Sequence, residues 1–105
     1  MDQDDPIFSA TATVAENRAT VAVAGEVDMS NADAMYHAAV DPGAGEVTLD
    51  LRGVTFFDSA AIQALIRLAE RFPGTLAVIP SAQVRRVLDI SGLGGQPWLI
   101  GSTTG

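Results

Sequence analysis

Alternating hydrophobic and polar residues predict the first strands of this chain. "IFSATATVAENRATVAVAGEV" has β-forming residues on both sides of the polar turn Glu16-Asn17-Arg18, so it predicts a hairpin of two strands. "EVTLDL" (46–51) alternates strictly, which places its apolar residues on one face of a third strand. The following "RGVTFFD" (52–58) is expected to be a loop.

Amphipathic segments with capping residues predict two helices. "SNADAMYHAAV" begins at Ser30, a preferred N-cap residue, has Asp33 in its first turn and ends at Asp41-Pro42-Gly43. A second helix is expected from about Ser59 to Phe72. Its apolar residues share one face of the helical wheel: Ala61, Ile62, Leu65, Leu68, Ala69 and Phe72.

The rest of the chain continues the same succession. "TLAVI" (75–79) is a short apolar run, typical of a strand that is buried in a parallel sheet. Ser81 is expected to cap a third helix in "SAQVRRVLDISGLGG" (81–95), and Gly92 to end that helix in the left-handed conformation. "PWLI" (97–100) predicts a last strand.

This order of elements indicates an α/β fold in a single domain. Strand–helix–strand units with short connections imply right-handed parallel crossovers. We therefore expect a mixed, mostly parallel sheet of about five strands with three or more helices. A chain of 105 residues is long enough for one hydrophobic core but not for two.

Two polar loops are expected at one edge of the sheet. In such folds the carboxyl ends of parallel strands meet where the helices begin, and binding loops lie there. "GEVDMSN" (25–31) follows the second strand, and the loop that ends in Asp58-Ser59 follows the third. The architecture alone therefore predicts a site at this edge.

Composition and charge exclude several classes of function. Thirteen acidic residues against six arginines give a net charge of −7. This argues against a nucleic-acid partner or an anionic membrane surface, because both need cationic contacts. No apolar run approaches the ~20 residues needed to cross a bilayer, and the start "MDQDDPIF" is acidic where a secretory signal would be basic. A cytoplasmic protein without membrane insertion is expected.

Motifs for catalysis and cofactor binding are missing from the sequence. There is no cysteine, and the lone His37 is expected on the surface of the first helix, so no zinc site is predicted. "FDSAA" around Ser59 lacks the glycine-flanked elbow of serine nucleophiles. "GLGG" (92–95) follows a helix rather than preceding one, unlike a phosphate-binding loop. The chain is expected to be no enzyme and to hold no cofactor or metal.

Asp58-Ser59 admits two interpretations. Either residue could cap the second helix, a role worth roughly 1 kcal/mol. Alternatively, Ser59 displays its hydroxyl outside the core, where unpaired amides and the helix dipole would favour a phosphate. That phosphate would bring about two negative charges against Asp58, and a docked partner would not accept them. The residues permit both interpretations.

The chain resembles the STAS domain family, in particular the bacterial anti-sigma factor antagonists, in three stretches that fall in the family's order and spacing: "GEVDMSNADAM", "VTLDLRGVTFFDSAAIQALI" and "PSAQVRRVLDISGL". The likeness covers about residues 7–100. It implies a single STAS-like domain over residues 1–105, with 1–6 and 101–105 expected to be flexible tails.

The resemblance implies a regulator of transcription that acts through protein–protein contact. In this family the protein binds an anti-sigma factor that is also a serine kinase, and binding releases the sigma factor. Phosphorylation of the serine after the aspartate turns the antagonist off, and a serine phosphatase resets it. Ser59 matches the phosphoacceptor. The residues expected to contact the partner are Asp28, Thr55, Phe56, Asp58, Ser59 and Ile62.

Two points leave this interpretation open. Ala61 stands where the family commonly has glycine, and its methyl is expected to restrict the first helical turn and a close approach by the kinase. The alternative keeps the fold but changes the role. It is a STAS structural subunit of a multiprotein assembly, such as a lipid transporter or a stress-signalling complex, in which Ser59 is only a helix cap.

Three apolar residues admit two uses: Met29 and Met35, in or beside the first helix, and Ile66, at the margin of the apolar face of the second. Methionine is favoured at partner surfaces because it can repack. Core packing is nevertheless expected for each of them, since a small domain has few other places to bury them.

Overall fold

The computed structural model describes residues 8–101, which form a four-stranded sheet and three helices. The elements in chain order are β1 (Phe8–Ala15), β2 (Arg18–Val27), α1 (Ala32–Val40), β3 (Glu46–Phe57), α2 (Ser59–Arg71), β4 (Leu76–Pro80) and α3 (Ala82–Ile90). The sheet order is β1-β2-β3-β4, with β1 antiparallel to β2 and the other pairs parallel. The predicted α/β class and mixed sheet are confirmed. Apart from Gly101, the predicted tails lie outside the described residues.

The fifth predicted strand is reduced to a single bridge. Leu99 pairs in parallel with Val78, whose amide donates to the Trp98 carbonyl (2.8 Å) and whose carbonyl accepts from the Ile100 amide (2.9 Å). The Leu99 amide bonds back to the Gln96 carbonyl (3.0 Å), so the chain turns here instead of running on as a strand. The segment 97–100 thus covers the outer edge of β4.

Strand β3 is longer than predicted, because "RGVTFF" continues it and only Asp58 lies in a connection. The pairing with β2 shifts twice, and each shift adds one residue to β3, as in a β-bulge. The buried residues are therefore three apart, at Leu51, Val54 and Phe57, instead of two. This spacing breaks the strict alternation that marks a strand in a sequence, which is why the loop prediction was wrong.

The hydrophobic core lies on one face of the sheet, beneath the helices. The helical residues with the most buried side chains are Met35, Ala39, Ala61, Leu65, Leu68, Val84 and Leu88. Along β2 and β3 the core residues alternate with small or polar residues on the opposite face, such as Thr20, Ala22 and Thr48. The core covers only one face of the sheet, and the loops at the carboxyl ends of β2 and β3 lie outside it.

The helix caps were predicted correctly at α3 and wrongly at α1. The Ser81 hydroxyl accepts from the Val84 amide (3.1 Å), and Gly92 follows α3 with a φ of 82°. At α1 the N-cap is Asn31 rather than Ser30, and its side chain makes no capping bond. The reason is that the Ser30 hydroxyl is already bonded to Asp28 (2.6 Å).

Candidate partner-binding site

The two polar loops lie side by side at the edge where β2 and β3 end. Val27 pairs with Phe57 in the parallel register, so Asp28 and Asp58 are the next residues on neighbouring strands. The Asp58 amide donates to the Val27 carbonyl (3.3 Å) and fastens one loop to the other. The topology thus brings the two acidic residues of the predicted site together.

Asp58 is the residue that caps α2. It has an extended backbone (φ −101°, ψ −171°), and its Oδ1 accepts from the Ala61 amide at 3.0 Å. Its carbonyl accepts from the Ile62 amide at 3.0 Å, the first turn of the helix. The capping function therefore belongs to Asp58, and Ser59 is not needed for it.

Ser59 is the first residue of α2 and its side chain is exposed. Between residues 8 and 101 nothing bonds to its hydroxyl, and the amides of Ser59 and Ala60 have no acceptor there. Unpaired amides at a helix start carry partial positive charge. The hydroxyl is thus presented to solvent beside groups that stabilise negative charge.

Asp28 organises the neighbouring loop. Its Oδ1 accepts from both the amide (2.9 Å) and the hydroxyl (2.6 Å) of Ser30. These bonds, led by that of the hydroxyl, hold the pKa of the Asp28 carboxyl below its ordinary value. Asn31 closes the loop, because its Oδ1 accepts from the Asp28 amide (2.9 Å) and its Nδ2 donates to the Glu26 carbonyl (3.0 Å). Asp28 is therefore both anionic and fixed in place.

The sequence reasoning missed the structural part played by Ser30 and Asn31. The signal that could have revealed it is the Asp-x-Ser spacing, because an Asp side chain readily bonds to the backbone two residues later.

Apolar side chains flank the two loops. Met29 is 82% exposed and Phe56 is 44% exposed, so both present hydrophobic surface to solvent. The expectation that Met29 packs in the core is wrong, since it lies in the turn that Asp28 holds; Met35 is fully buried, as expected. Ile66, expected in the core, is half-buried.

The remaining predicted residues differ in their access to a partner. Thr55 is exposed and its hydroxyl donates to the Gly25 carbonyl (3.4 Å). Ile62 is half-buried and packs against the core, so only part of it is available. Ala61 is fully buried, and its methyl therefore points into the core rather than toward an approaching kinase.

His37 is exposed on α1 and lies 3.5 Å from a carboxylate oxygen of Asp33 and 3.4 Å from one of Asp41. Over the described part of the chain, His, Asp and Glu side chains nowhere form a group of three or more suited to a metal ion. Among residues 8–101, every helix is too short or too polar to cross a membrane.

Comparison with solved structures identifies similar folds. An anti-sigma factor antagonist from Mycobacterium paratuberculosis is 23% identical, with a TM-score of 0.75 over 88% of this chain and 84% of that one. The unphosphorylated form of the anti-sigma factor antagonist SpoIIAA is 18% identical, with a TM-score of 0.70 over 91% and 90%. The phosphorylated form of SpoIIAA, a Bacillus cell fate determinant, is 19% identical, with a TM-score of 0.65 over 92% of each chain.

Sequence comparison gives the family directly. No curated protein sequence matches the chain significantly. The family model described as "Mlab, STAS domain" matches residues 10–101, nearly the whole chain. The order of strands and helices agrees with this match, and the chain belongs to the STAS domain family.

Proposed function

We propose that this protein is an anti-sigma factor antagonist that acts in the cytoplasm. It binds an anti-sigma factor serine kinase and so releases the sigma factor, and phosphorylation of Ser59 opposes that binding. One observation at the start of α2 carries the proposal: Asp58 caps the helix, so the Ser59 hydroxyl is left exposed and without a hydrogen bond among the described residues. In this role the protein is a kinase substrate and not an enzyme.

The surface around Ser59 supports docking of a protein partner. Met29 and Phe56 offer apolar contacts, and Asp28 and Asp58 place carboxylates beside them. Exposed aromatic and methionine side chains are typical of interface centres. The net charge of −7 would speed encounter with a basic partner surface, mainly through the association rate.

The same geometry supports a switch by phosphorylation. A kinase would transfer the terminal phosphoryl group of ATP to the Ser59 oxygen, with loss of the hydroxyl proton and release of ADP. The amides of Ser59 and Ala60 and the helix dipole would stabilise the phosphate, so the fold accepts it. A bound partner would have to desolvate about two added charges next to Asp58, which weakens the complex.

The test compares what wild type, Ser59→Ala and Ser59→Asp retain from a lysate of the native host, followed by affinity measurement with the purified kinase-like protein. Ser91→Asp is the matched control, because Ser91 is exposed at the end of α3, away from the site. We expect Ser59→Ala to bind but to resist silencing by ATP, and Ser59→Asp to lose affinity by about tenfold or more. Wild-type affinity in all variants would remove Ser59 as the control point.

A second candidate is a structural subunit of a multiprotein assembly, since the matching family model is described as "Mlab, STAS domain" and not as an antagonist. In that case wild type and Ser59→Asp would retain the same assembly, and ATP would have no effect on binding. A serine phosphatase that restores binding would exclude this candidate.

A further inference from the structure

The two edges of the sheet differ in their protection. The β4 edge is covered by the segment 97–100 through the bridge between Val78 and Leu99. The β1 edge, by contrast, has no strand or loop bonded to it among residues 8–101. The fold therefore covers one edge and leaves the other open.

Strand β1 also lacks the features that usually prevent edge pairing. Its sequence, "FSATATVA", has no charged residue, proline or glycine, and it pairs with β2 over all eight residues without a bulge. Edge strands of natural proteins are normally short, charged, bulged or covered, because an open edge is a template for another strand. An uncharged, regular edge of this length is suited to pairing.

The hairpin geometry shows which backbone groups are free. A two-residue turn joins Ala15 to Arg18, and such a turn closes on a hydrogen-bonded pair. Because bonded and non-bonded pairs alternate along an antiparallel ladder, every second residue from Ala15 bonds to β2. The residues between them direct their amides and carbonyls away from the sheet: Phe8, Ala10, Ala12 and Val14.

We propose that β1 is a self-association edge, which pairs antiparallel with β1 of a second copy and joins two four-stranded sheets into one. With the two-fold axis at Thr11, Ala10 faces Ala12 of the second copy and Phe8 faces its Val14. All four outward residues of each strand then bond to their counterparts, giving about eight hydrogen bonds between the copies.

A second copy fits this edge because the strand is complementary to itself. Val14 is 54% exposed and Phe8 is half-buried, and in this register each gains an aromatic–β-branched contact across the strands. The contact between the two β1 strands, called the seam below, contains no charged residue of β1, although each chain carries a net charge of −7. The contact is confined to two strands of eight residues, so we expect a weak association whose dissociation constant falls as salt screens the repulsion.

Sedimentation of the purified full chain from micromolar to millimolar concentration tests this proposal, which does not depend on the role of Ser59. Ala12→Pro removes an outward amide and spares the bonds to β2, and proline is tolerated at such edge positions. Val14→Lys is a second variant that places charge at the seam. Gln83→Lys is the control, because it makes the same change of charge on an exposed residue of α3, which contacts β3 and β4.

We expect wild type and Gln83→Lys to dimerise alike, and both β1 variants to raise the dissociation constant by about tenfold or more. Amide exchange provides a position-specific readout. On association the amides of Ala10 and Ala12 should become protected, whereas those of Thr11 and Thr13 are protected already in the monomer.

Two results would overturn the proposal. If wild type stays monomeric at millimolar concentration and high salt, β1 does not mediate self-association. The edge would then bind an extended segment of another protein or have no partner. A dimer that persists in both β1 variants, with Ala10 and Ala12 still exchanging freely, would place the contact elsewhere on the molecule.

Discussion

The Asp58 amide donates to the Val27 carbonyl at 3.3 Å, and this bond ties the start of α2 to the strand that carries the Asp28 loop. It extends the parallel pairing of Val27 with Phe57 by one residue beyond the sheet. The position of Ser59 relative to Asp28 is therefore set by backbone bonds rather than by flexible side chains. A partner that contacts both loops would meet a surface that is already organised.

The assignment of the cap to Asp58 predicts unequal effects of neighbouring substitutions on stability. Asp58→Ala should lower the free energy of unfolding by about 1 kcal/mol, because the Ala61 amide loses its acceptor. Asp58→Asn keeps an acceptor and should cost only a few tenths of that. Ser59→Ala should change stability by less than about 0.5 kcal/mol. Urea unfolding measures all three, and an equal loss in Ser59→Ala and Asp58→Ala would contradict the assignment.

The Ser30 hydroxyl predicts a measurable pKa shift in the Asp28 loop. Ser30→Ala removes the shorter of its two bonds to Asp28, so the pKa of the Asp28 carboxyl should rise toward its ordinary value. Carboxyl chemical shifts recorded during an NMR pH titration give this pKa. Ser91→Ala is the control, since Ser91 is exposed at the end of α3, away from the Asp28 loop.

The sign of the linked stability change follows from the lowered pKa. A carboxyl whose folded-state pKa is below its unfolded value stabilises the fold above the unfolded pKa, which is about 3.9 for Asp. That stabilisation is lost as the pH falls through the folded pKa. Ser30→Ala should therefore lower the free energy of unfolding at neutral pH. Between neutral and acidic pH, that free energy should then decrease by less than it does in wild type. An Asp28 pKa that is the same in wild type and Ser30→Ala would show that the hydroxyl bond is absent in solution.

Two adjacent phenylalanines should separate binding from folding. Phe57 is 3% exposed in the core, so Phe57→Ala should destabilise the fold by about 3–5 kcal/mol. Phe56 is 44% exposed, so Phe56→Ala should leave the unfolding midpoint nearly unchanged and weaken partner binding by about tenfold. Thermal unfolding and titration with the captured partner measure the two effects. Unchanged affinity in Phe56→Ala would place the contact surface elsewhere.

The buried methyl of Ala61 predicts that restoring the family's glycine harms the fold. Ala61→Gly should cost about 1 kcal/mol from helix propensity and more from the lost packing. Ala60→Gly is the matched control, because Ala60 is in the same turn but only half-buried, and it should cost less. The rate of Ser59 phosphorylation should be similar in wild type and Ala61→Gly. A rate several-fold higher in Ala61→Gly would show that the methyl does restrict the kinase.

Much of this fold could be predicted because its signals are local. The hairpin, α2 and the Ser81 cap follow from alternation, helical periodicity and capping residues, each read within a few positions. The end of β3 could not be predicted in the same way, because its bulges depend on pairing with β2. Met29 was misplaced for a similar reason, since its exposure follows from the hydrogen bonds around Asp28 and not from its own hydrophobicity.

Because of its bulges, β3 depends on the number of its residues as well as on their types. Gly53 lies at the first of them, where an added Cβ would approach the Ala24 Cβ to 3.1 Å. Deletion of one residue from 52–55 would remove one of the two bulges or, if both were kept, would turn Phe56 inward and Phe57 outward, and either outcome would change the strand end that carries the site. Relatives that keep this site should therefore accept substitutions between Leu51 and Ser59 but not gaps. Changes in chain length should instead collect in connections such as 41–45, where no strand register has to be kept.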